Sequence, residues 1–340
     1  MKNICLIGHG MMGIWHAQAL QDYPGVRLHT VVGRNLKDVA AFAAQYGFSH
    51  SGTDMIEAIN HPDIDAVIIA GPSETHAAMA LHVIRAGKAL LVEIPIGMTL
   101  TAAETVVREA AEKNVLLAVC HPMRFRPERT ELLARMRKGE EHLRHIHGRF
   151  FIHRLVNIGA TGLKRDWIDN ILWHHTTHLL DLGLFLIGKG DPYAAEQRIR
   201  RVQSFMPGLD PHTGTPMEIS VLIETHDDQS LIATGSYYAR ERIYDTLVVT
   251  DRDSYRLDEL TSTLTTGNGT APAITEHENA LAVARDFADA LNENREPLVT
   301  GRSVLPVMRL LEQVQQEWDA HHGVQNIPGR PLDQLTLEVR

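Results

Sequence analysis

This chain of 340 residues has very few cysteines and fewer basic than acidic residues, and both features narrow the classes of protein to which it can belong. Cysteine occurs only at Cys5 and Cys120, both in apolar stretches, which argues against a disulfide framework and favours buried thiols in a reducing compartment. Lysine and arginine total 33 against 42 acidic residues and form no block, so we expect no nucleic-acid partner.

Long apolar runs are also absent. No run approaches the roughly 20 residues that a membrane-spanning helix needs, so we expect no membrane partner. The start at Met1 leads directly into an apolar strand and lacks the features of a secretory signal peptide, which predicts a cytoplasmic location. Hydrophobic residues make up 44% of the chain, as in ordinary globular proteins, and its length exceeds one typical core, so two domains are expected.

A glycine-rich turn near the start carries the strongest signal. The apolar residues 2–7 run into Gly8-x-Gly10-x-x-Gly13, and a helical pattern follows. In a dinucleotide site such glycines allow a tight turn, a close approach of backbone to the diphosphate, and close packing of helix on strand. The unpaired N–H groups of the helix then face the anion. The predicted diphosphate-binding residues are Gly8, Gly10, Met11, Met12 and Gly13.

The order of predicted elements divides the chain in two. Strand and helix alternate through residues 1–121, which predicts an α/β, doubly wound parallel sheet with right-handed crossovers. In residues 122–340, apolar and polar residues alternate in several strands, which indicates an antiparallel sheet with one covered face and accompanying helices. Because helices cover only one face, we predict a homodimer or homotetramer formed through the other face.

A second cofactor signal follows the second predicted strand. An NAD-selective site usually has a carboxylate there for the ribose hydroxyls, whereas this chain has Gly33-Arg34-Asn35. A guanidinium suits a 2′-phosphate because it forms charge-assisted paired hydrogen bonds. Arg34 therefore favours NADP, with NAD possible and an ordinary exposed arginine as the alternative.

Three further stretches complete the pattern: Glu93-Ile94-Pro95, His121-Pro122-Met123-Arg124, and the run Leu-Trp-His-His-Thr-Thr-His at residues 172–178. With the glycine turn and residues 71–76, they make the chain resemble the glucose-fructose oxidoreductase, inositol dehydrogenase and MocA (Gfo/Idh/MocA) family. The resemblance covers almost the whole length. It implies a Rossmann domain followed by an α+β domain with a large, open, mainly antiparallel sheet, and a cis peptide before Pro95.

Two departures from the usual family pattern point to a subgroup. Most members have Glu-Lys-Pro where this chain has Ile94, and an aspartate where it has His174. The lysine that helps to position and polarise the reacting hydroxyl is therefore missing. These patterns look like the 4-carboxy-2-hydroxymuconate semialdehyde dehydrogenases, which oxidise a cyclic hemiacetal with NADP. That subgroup has two adjacent arginines where this chain has Arg124 alone, so one cation fewer is available for a dicarboxylate.

The histidine stretch, predicted to lie on a helix over residues 167–187, suits the chemistry of an oxidation. Removal of hydride from a carbinol carbon leaves a hydroxyl proton, which histidine accepts near neutral pH. His174 and His178 are four residues apart on one helix face, and Asp181 is predicted to orient His178. The alternatives are two packing histidines, or a metal pair completed by His121 or Asp181. No hydrolytic glutamate accompanies the pair, so no metal is predicted.

These observations lead to one functional prediction with two alternatives. We predict a dehydrogenase that transfers hydride to NADP from a cyclic hemiacetal or related small-molecule hydroxy compound. The alternatives are a sugar or polyol dehydrogenase of the same family and a non-catalytic NADP-binding sensor. The remaining predicted cofactor contacts are Arg34, Pro72, His76, Glu93 and Pro95. The predicted substrate contacts are His121, Arg124, Glu93 and Trp173.

Overall fold

Strands and helices alternate through the first part of the chain, as the pattern predicts. The computed structural model describes residues 1–158, 162, 164, 167, 169–273 and 278–323, and only the backbone of residues 278–280. The elements of the first part are β1 (Lys2–Ile7), α1 (Met11–Leu20), β2 (Val26–Val32), α2 (Leu36–Tyr46), β3 (His50–Gly52), α3 (Met55–Asn60), β4 (Ala66–Ile69), α4 (His76–Arg85), β5 (Ala89–Val92), α5 (Leu100–Glu112) and β6 (Leu117–Val119).

The six strands of this part form one parallel sheet in the order β3-β2-β1-β4-β5-β6. This is the order of a doubly wound dinucleotide-binding sheet, whose ligands bind at the carboxyl ends of the strands. Every residue of β4 and β5 is buried, because helices cover both faces of the sheet. The predicted parallel sheet is confirmed.

The second part has its own sheet. Its elements are α6 (Pro127–Arg137), β7 (Leu143–His153), α7 (Thr177–Ile187), α8 (Pro192–Arg198), β8 (Ile199–Phe205), β9 (Glu218–Thr225), β10 (Ser230–Ser236), β11 (Tyr238–Thr250), β12 (Ser254–Asp258), β13 (Thr263–Thr266), β14 (Gly269–Pro272), α9 (Glu278–Glu293) and α10 (Leu305–His322). The eight strands follow the order β14-β13-β12-β11-β7-β10-β9-β8. Only the pair of β7 and β10 is parallel, so the predicted mainly antiparallel sheet is confirmed.

Helix α7 covers one face of this second sheet, and all of its residues except His178 are buried. Its contact with the sheet is close: a Cβ added at Gly148 of β7 would lie 2.9 Å from the side chain of Leu179. On β9 and β10, buried residues alternate with partly or fully exposed ones, so only one face of each strand packs on the core. Assembly through the opposite face stays a prediction.

The chain returns to the first sheet near its end. Phe287 and Ala288 of α9 belong to the same buried cluster as Leu6 of β1, and Thr300 bridges Ala118 of β6. The division of the chain at residue 121 stays a prediction, and this packing adds a late helix to the layer that covers the first sheet. No helix within the described ranges has the length and apolar character needed to cross a bilayer.

Candidate active site

The glycine turn has the geometry that a diphosphate requires. Gly8 has a φ of +101°, and a Cβ added there would lie 2.4 Å from the carbonyl oxygen of Ala70. A Cβ at Gly13 would lie 2.3 Å from the carbonyl oxygen of Gly8, so both positions exclude a side chain. Gly10 begins α1 in an extended conformation and supplies no capping side chain, which leaves N–H groups of the first turn for an anion.

Met11 and Met12 are the first residues of α1, Met11 exposed and Met12 partly buried. A ligand bound at the N-terminus of α1 would therefore lie next to these two side chains. The prediction that they adjoin the cofactor therefore has a suitable geometry but stays a prediction.

The end of β2 presents cationic rather than acidic groups. Arg34 is exposed, and Asn35 caps α2 by accepting from the backbone N–H groups of Lys37 and Asp38. The ring of His9, from the glycine turn, reaches this strand end, since a Cβ at Gly33 would lie 2.3 Å from His9 Nδ1. Sequence reasoning missed His9 because the middle position of a glycine turn carries no expected side chain.

The loop after β4 is tied to the loop after β5 by His76. This buried imidazole has Nδ1 2.8 Å from the carbonyl oxygen of Pro95 and Nε2 3.0 Å from that of Gly71. The peptide between Ile94 and Pro95 is cis, as the resemblance implies. His76 therefore positions the two loops from below, and the predicted direct contact with a cofactor is wrong because both ring nitrogens already face carbonyl oxygens. Pro72 begins the exposed part of the same loop.

Glu93, at the end of β5, is buried and already has a partner. Its Oε1 lies 2.6 Å from Nε2 of His16 on α1, a contact that no sequence pattern indicated. Burial, and next the charge and hydrogen bond of Glu93, raise the pKa of the neighbouring Cys120 thiol well above its ordinary value. Glu93 thus joins α1 to the strand ends, directly beneath the predicted site.

Two histidines meet where the two sheets adjoin. His121 follows β6 and His178 lies in the first turn of α7, and their rings meet edge to face with centroids 5.6 Å apart. Burial lowers the pKa of His121 to about 4 and that of His178 to about 3, so both imidazoles are neutral near pH 7.

The Nδ1 atom of His178 is buried and has no hydrogen-bond partner among the described residues, although the side chain keeps some exposed surface. An unsatisfied buried polar atom is unusual in a folded protein and calls for an explanation such as a missing ligand. His121 Nδ1 shares this state, but His121 is fully enclosed, whereas His178 keeps some exposed surface through which a ligand could be reached.

Asp181 and Arg124 form a buried ion pair. Arg124 Nε donates to Asp181 Oδ2 at 2.8 Å, Nη2 donates to Oδ1 at 2.5 Å, and Nη1 donates to Ser303. Asp181 Oδ2 also lies 3.3 Å from His121 Nδ1, outside hydrogen-bond geometry. Two predictions need correction: Asp181 partners Arg124 and His121 rather than His178, and Arg124 is engaged by Asp181 and thus unavailable to a substrate carboxylate.

His174 belongs to an imidazole–carboxylate pair. Its Nδ1 lies 3.1 Å from Oδ2 of the buried Asp169, which also accepts from Ser73 Oγ at 3.0 Å. Burial would raise the pKa of Asp169, but the charge and hydrogen bond of His174 and the hydrogen bond from Ser73 hold it below its ordinary value. Ser73 lies in the loop after β4, so this pair connects the histidine stretch to the first sheet. The sequence offered no signal for Asp169.

The histidine stretch opens with a π-helical turn, Leu172–Thr176, rather than a regular α-helix. Asn170 accepts from the backbone N–H groups of Leu172 and Trp173 and so holds the start of the turn. Single π-turns often occur at functional sites because they re-aim neighbouring side chains. Because a π-turn has more residues per turn than an α-helix, the four-residue spacing of His174 and His178 does not by itself place them on one face.

Trp173 and His175 are packing residues. Trp173 is fully buried, and its Nε1 donates to Gln315 Oε1 at 3.1 Å. The prediction that Trp173 binds substrate is wrong, because α10 encloses the indole. The ring of His175 stacks on Phe150 with centroids 3.8 Å apart, and its Nδ1 is 2.7 Å from the hydroxyl of Tyr237.

The metal alternative for the histidine pair finds no support. Across the part of the chain that the structure describes, two sets of three side chains are close enough to hold an ion, and neither includes His174 or His178. These sets are His16, Glu93 and Cys120, and His29, His61 and Asp63.

Comparison with known proteins agrees with this geometry. Residues 2–121 match the GFO_IDH_MocA model, described as an oxidoreductase family with an NAD-binding Rossmann fold. Residues 127–256 match the model of the C-terminal region of bacterial oxidoreductases. The chain belongs to the Gfo/Idh/MocA family.

Individual relatives are dehydrogenases. The chain is 32% identical to 4-carboxy-2-hydroxymuconate-6-semialdehyde dehydrogenase of Sphingobium sp. (strain NBRC 103272 / SYK-6), over 65% of this chain and 68% of the relative. It is 34% identical to inositol 2-dehydrogenase of Rhizobium meliloti (strain 1021), over 54% of each chain. The fold matches that of levoglucosan dehydrogenase in complex with NADH, with a TM-score of 0.80 at 18% identity over 94% of this chain and 97% of that one.

Membership makes this Gfo/Idh/MocA protein an NAD(P)-dependent oxidoreductase that acts on hydroxyl groups. Its site differs from the common family pattern at Ile94 and His174. His174 lies four residues before His178, and Ile94 follows Glu93 at the end of β5.

Proposed function

We propose that this oxidoreductase oxidises a cyclic hemiacetal or a related hydroxy compound, with NADP as hydride acceptor and His178 as proton acceptor. The observation that carries the proposal is the neutral imidazole of His178, whose buried Nδ1 has no partner among the described residues. The relative from Sphingobium, which is named as a dehydrogenase of a carboxylated semialdehyde, supports this substrate class. A sugar or polyol is the alternative substrate, which the inositol dehydrogenase relative favours.

The residues of the first sheet fit a dinucleotide. The glycines at 8 and 13 leave the space that backbone contact with a diphosphate needs, and the uncapped start of α1 offers N–H donors. Arg34 would hold the 2′-phosphate of NADP, with the ring of His9 beside it. When bound, the nicotinamide takes up the hydride that leaves the carbinol carbon.

His178 would accept the hydroxyl proton. An imidazole accepts a proton only while it is neutral, and the lowered pKa of His178 keeps this side chain neutral throughout the physiological range. The same low pKa makes it a weak base. A hemiacetal hydroxyl is more acidic than that of an ordinary alcohol, so it suits a weak base with no lysine beside it. The apolar Ile94 occupies the position of that lysine.

His174 would act with Asp169 next to this group. Because an ionised carboxylate only accepts hydrogen bonds, Nδ1–H of His174 donates to Asp169. The side chain of His174 is 37% exposed, so Nε2 can contact both substrate and solvent. We infer that His174 holds a second substrate oxygen.

A direct assay tests the function. We expect purified protein to reduce NADP with the highest kcat/KM on cyclic hemiacetals, and less efficiently on aldoses and inositols. A chelator should leave this rate unchanged, because no step needs a metal. Faster turnover of aldoses or inositols would overturn the hemiacetal assignment in favour of the alternative. Tight NADPH binding with no turnover on any compound would favour a sensor.

The role of Arg34 is tested by reversing its charge. In Arg34→Asp we expect the KM for NADP to rise by about 10–100-fold, since a charge-assisted hydrogen bond contributes about 1.5–3 kcal/mol. The KM for NAD should fall or stay the same, because the new carboxylate can accept from the ribose hydroxyls. Lys37→Ala, which removes a nearby cation from the first turn of α2, is the matched control. An unchanged KM for NADP in Arg34→Asp would leave Arg34 an ordinary surface residue.

A further inference from the structure

A second group of histidines lies at the edge of the first sheet. His29 belongs to β2, His50 begins β3, and His61 follows α3 just before the start of β4. The strand positions place this group toward the amino-terminal ends of β3 and β4. Ligands of such sheets bind at the carboxyl ends, so this group is separate from the proposed dehydrogenase site.

The backbone of β2 is irregular at His29. Leu28 pairs with Ile4 and Thr30 pairs with Cys5, so β2 has one residue more than β1 between these pairs, and that residue is His29. A β-bulge re-aims the side chain of its extra residue, and bulges are over-represented next to functional sites. This one sends a buried imidazole toward the sheet edge, where its ring centroid is 4.7 Å from that of His50 and 5.5 Å from that of His61.

Three potential ligand atoms converge there. One nitrogen of His29, one of His61 and a carboxylate oxygen of Asp63 all lie within 4.8 Å of one another. The backbone N–H of Asp63 donates to His61 Nδ1 at 3.3 Å, which holds these two residues side by side. His29 Nδ1 is 2.8 Å from Thr30 Oγ1. If Nδ1–H donates to this hydroxyl, Nε2 keeps the lone pair that a metal needs.

We propose that His29, His61 and Asp63 form a binding site for a divalent transition metal of the zinc class. Two imidazoles and one carboxylate are a ligand set that zinc uses, at metal–ligand distances of about 2.0–2.2 Å. Ligand atoms within 4.8 Å of one another need to close by up to about 1.5 Å to reach a tetrahedral arrangement. The fourth position faces solvent, because His61 and Asp63 are exposed, and it takes a water molecule.

The turn that carries two of these ligands is held in place by Lys88. Its Nζ donates to the carbonyl oxygens of His61 and Ile64, at 3.3 and 2.7 Å. The backbone that presents His61 and Asp63 is therefore fixed to the start of β5.

Such a metal would join the loop before β4 to the edge strands β2 and β3. Because a metal that binds only the folded state stabilises it by mass action, saturating zinc should raise the melting temperature. At a zinc concentration of about 100 times Kd, we expect a rise of roughly 3–6 °C. The site is therefore structural in effect, and it does not depend on the proposed dehydrogenase chemistry.

The test is a zinc titration of tag-free, chelator-treated full-length protein by calorimetry. We expect one site of micromolar or tighter affinity, weakened at least tenfold in His61→Ala and in Asp63→Asn. Both residues are exposed, so these variants should keep their fold. His226→Ala, which removes an exposed histidine from the turn after β9, should bind zinc as the wild type does. The melting-temperature rise should disappear in the same two variants.

Cobalt distinguishes this site from the buried set His16, Glu93 and Cys120. Cobalt bound to His29, His61 and Asp63 should show no thiolate-to-metal charge-transfer band, and Cys120→Ala should leave its binding unchanged. A thiolate band that Cys120→Ala abolishes would overturn the proposal in favour of the buried set. Zinc binding that is only millimolar, or that survives in His61→Ala and Asp63→Asn, would overturn it as well.

Discussion

Replacing His178 with asparagine should lower kcat by about 10²–10⁴, the usual contribution of a positioned general base. Asparagine keeps hydrogen-bonding capacity but cannot take up a proton near neutral pH. The glycine turn and Arg34 lie on other elements, so the Kd for NADPH should change less than twofold. Single-turnover rates and NADPH fluorescence measure the two quantities separately. His142→Asn, at an exposed histidine paired with Asp251, is the matched control and should keep wild-type turnover.

The pH profile gives this prediction a second readout. The pKa of His178 is lowered to about 3, so its proton-accepting form persists as the pH falls from 8 to well below 6.5. We therefore expect no acid limb near 6.5 in kcat/KM that arises from His178. Such a limb in the wild type, together with normal turnover in His178→Asn, would refute the role. If His174→Asn then removed the limb, His174 would be the base.

The fold was predictable because its signals are local. The glycine turn is recognised from six consecutive residues. Its glycines are needed where a side chain would collide with nearby backbone, as a Cβ at Gly8 would with the carbonyl oxygen of Ala70. The alternation of strand and helix predicts a parallel sheet. The alternation of apolar and polar residues near residue 217 predicts an antiparallel sheet. These signals placed both sheets in the correct parts of the chain.

The partners within the site were not predictable, because each joins residues far apart in the chain. His16 meets Glu93 across 77 residues, Ser73 meets Asp169 across 96, and Arg124 meets Asp181 across 57. Spacing along one helix indicated that Asp181 could serve His178. A more basic partner on another element took that carboxylate instead.

The same limit explains the errors at Trp173 and His76. Both lie next to residues that face the site, and a sequence motif does not say which of two neighbours points inward. Gln315 of α10 and the carbonyl oxygens of Gly71 and Pro95 provide their hydrogen bonds, and these partners are fixed only by the complete packing. The π-helical turn at Leu172–Thr176 adds a further change of direction that regular helical spacing omits.

The Arg124–Asp181 pair should contribute strongly to stability. In Arg124→Met, the buried Asp181 loses its two charge-assisted hydrogen bonds, and we expect the free energy of unfolding to fall by about 3–5 kcal/mol. The double variant Arg124→Met/Asp181→Leu removes both charges and should lose less than Arg124→Met alone. Urea unfolding and the melting temperature measure these differences.

The pH dependence of the pair follows from the direction of its pKa shift. Burial would raise the pKa of Asp181, but the charge of Arg124 foremost, then that of His121, hold it below its ordinary value. A carboxyl group with a depressed pKa stabilises the folded state above its unfolded pKa of about 3.9, and this contribution is lost as the pH falls further. In Arg124→Met, burial without the cation raises the pKa of Asp181, so the difference between wild type and variant should be larger at pH 7 than at pH 3, and should begin to shrink above pH 4.

This pair also decides between two roles for Arg124. If Arg124 bound a substrate carboxylate, Arg124→Met would raise KM for acidic substrates and leave the melting temperature nearly unchanged. Because its guanidinium is enclosed between Asp181, Ser303 and the ring of Phe185, we expect the reverse, with stability lost first. Equal losses in the single and double variants would contradict the ion-pair account, since the uncompensated charge of Asp181 is what makes the single change costly.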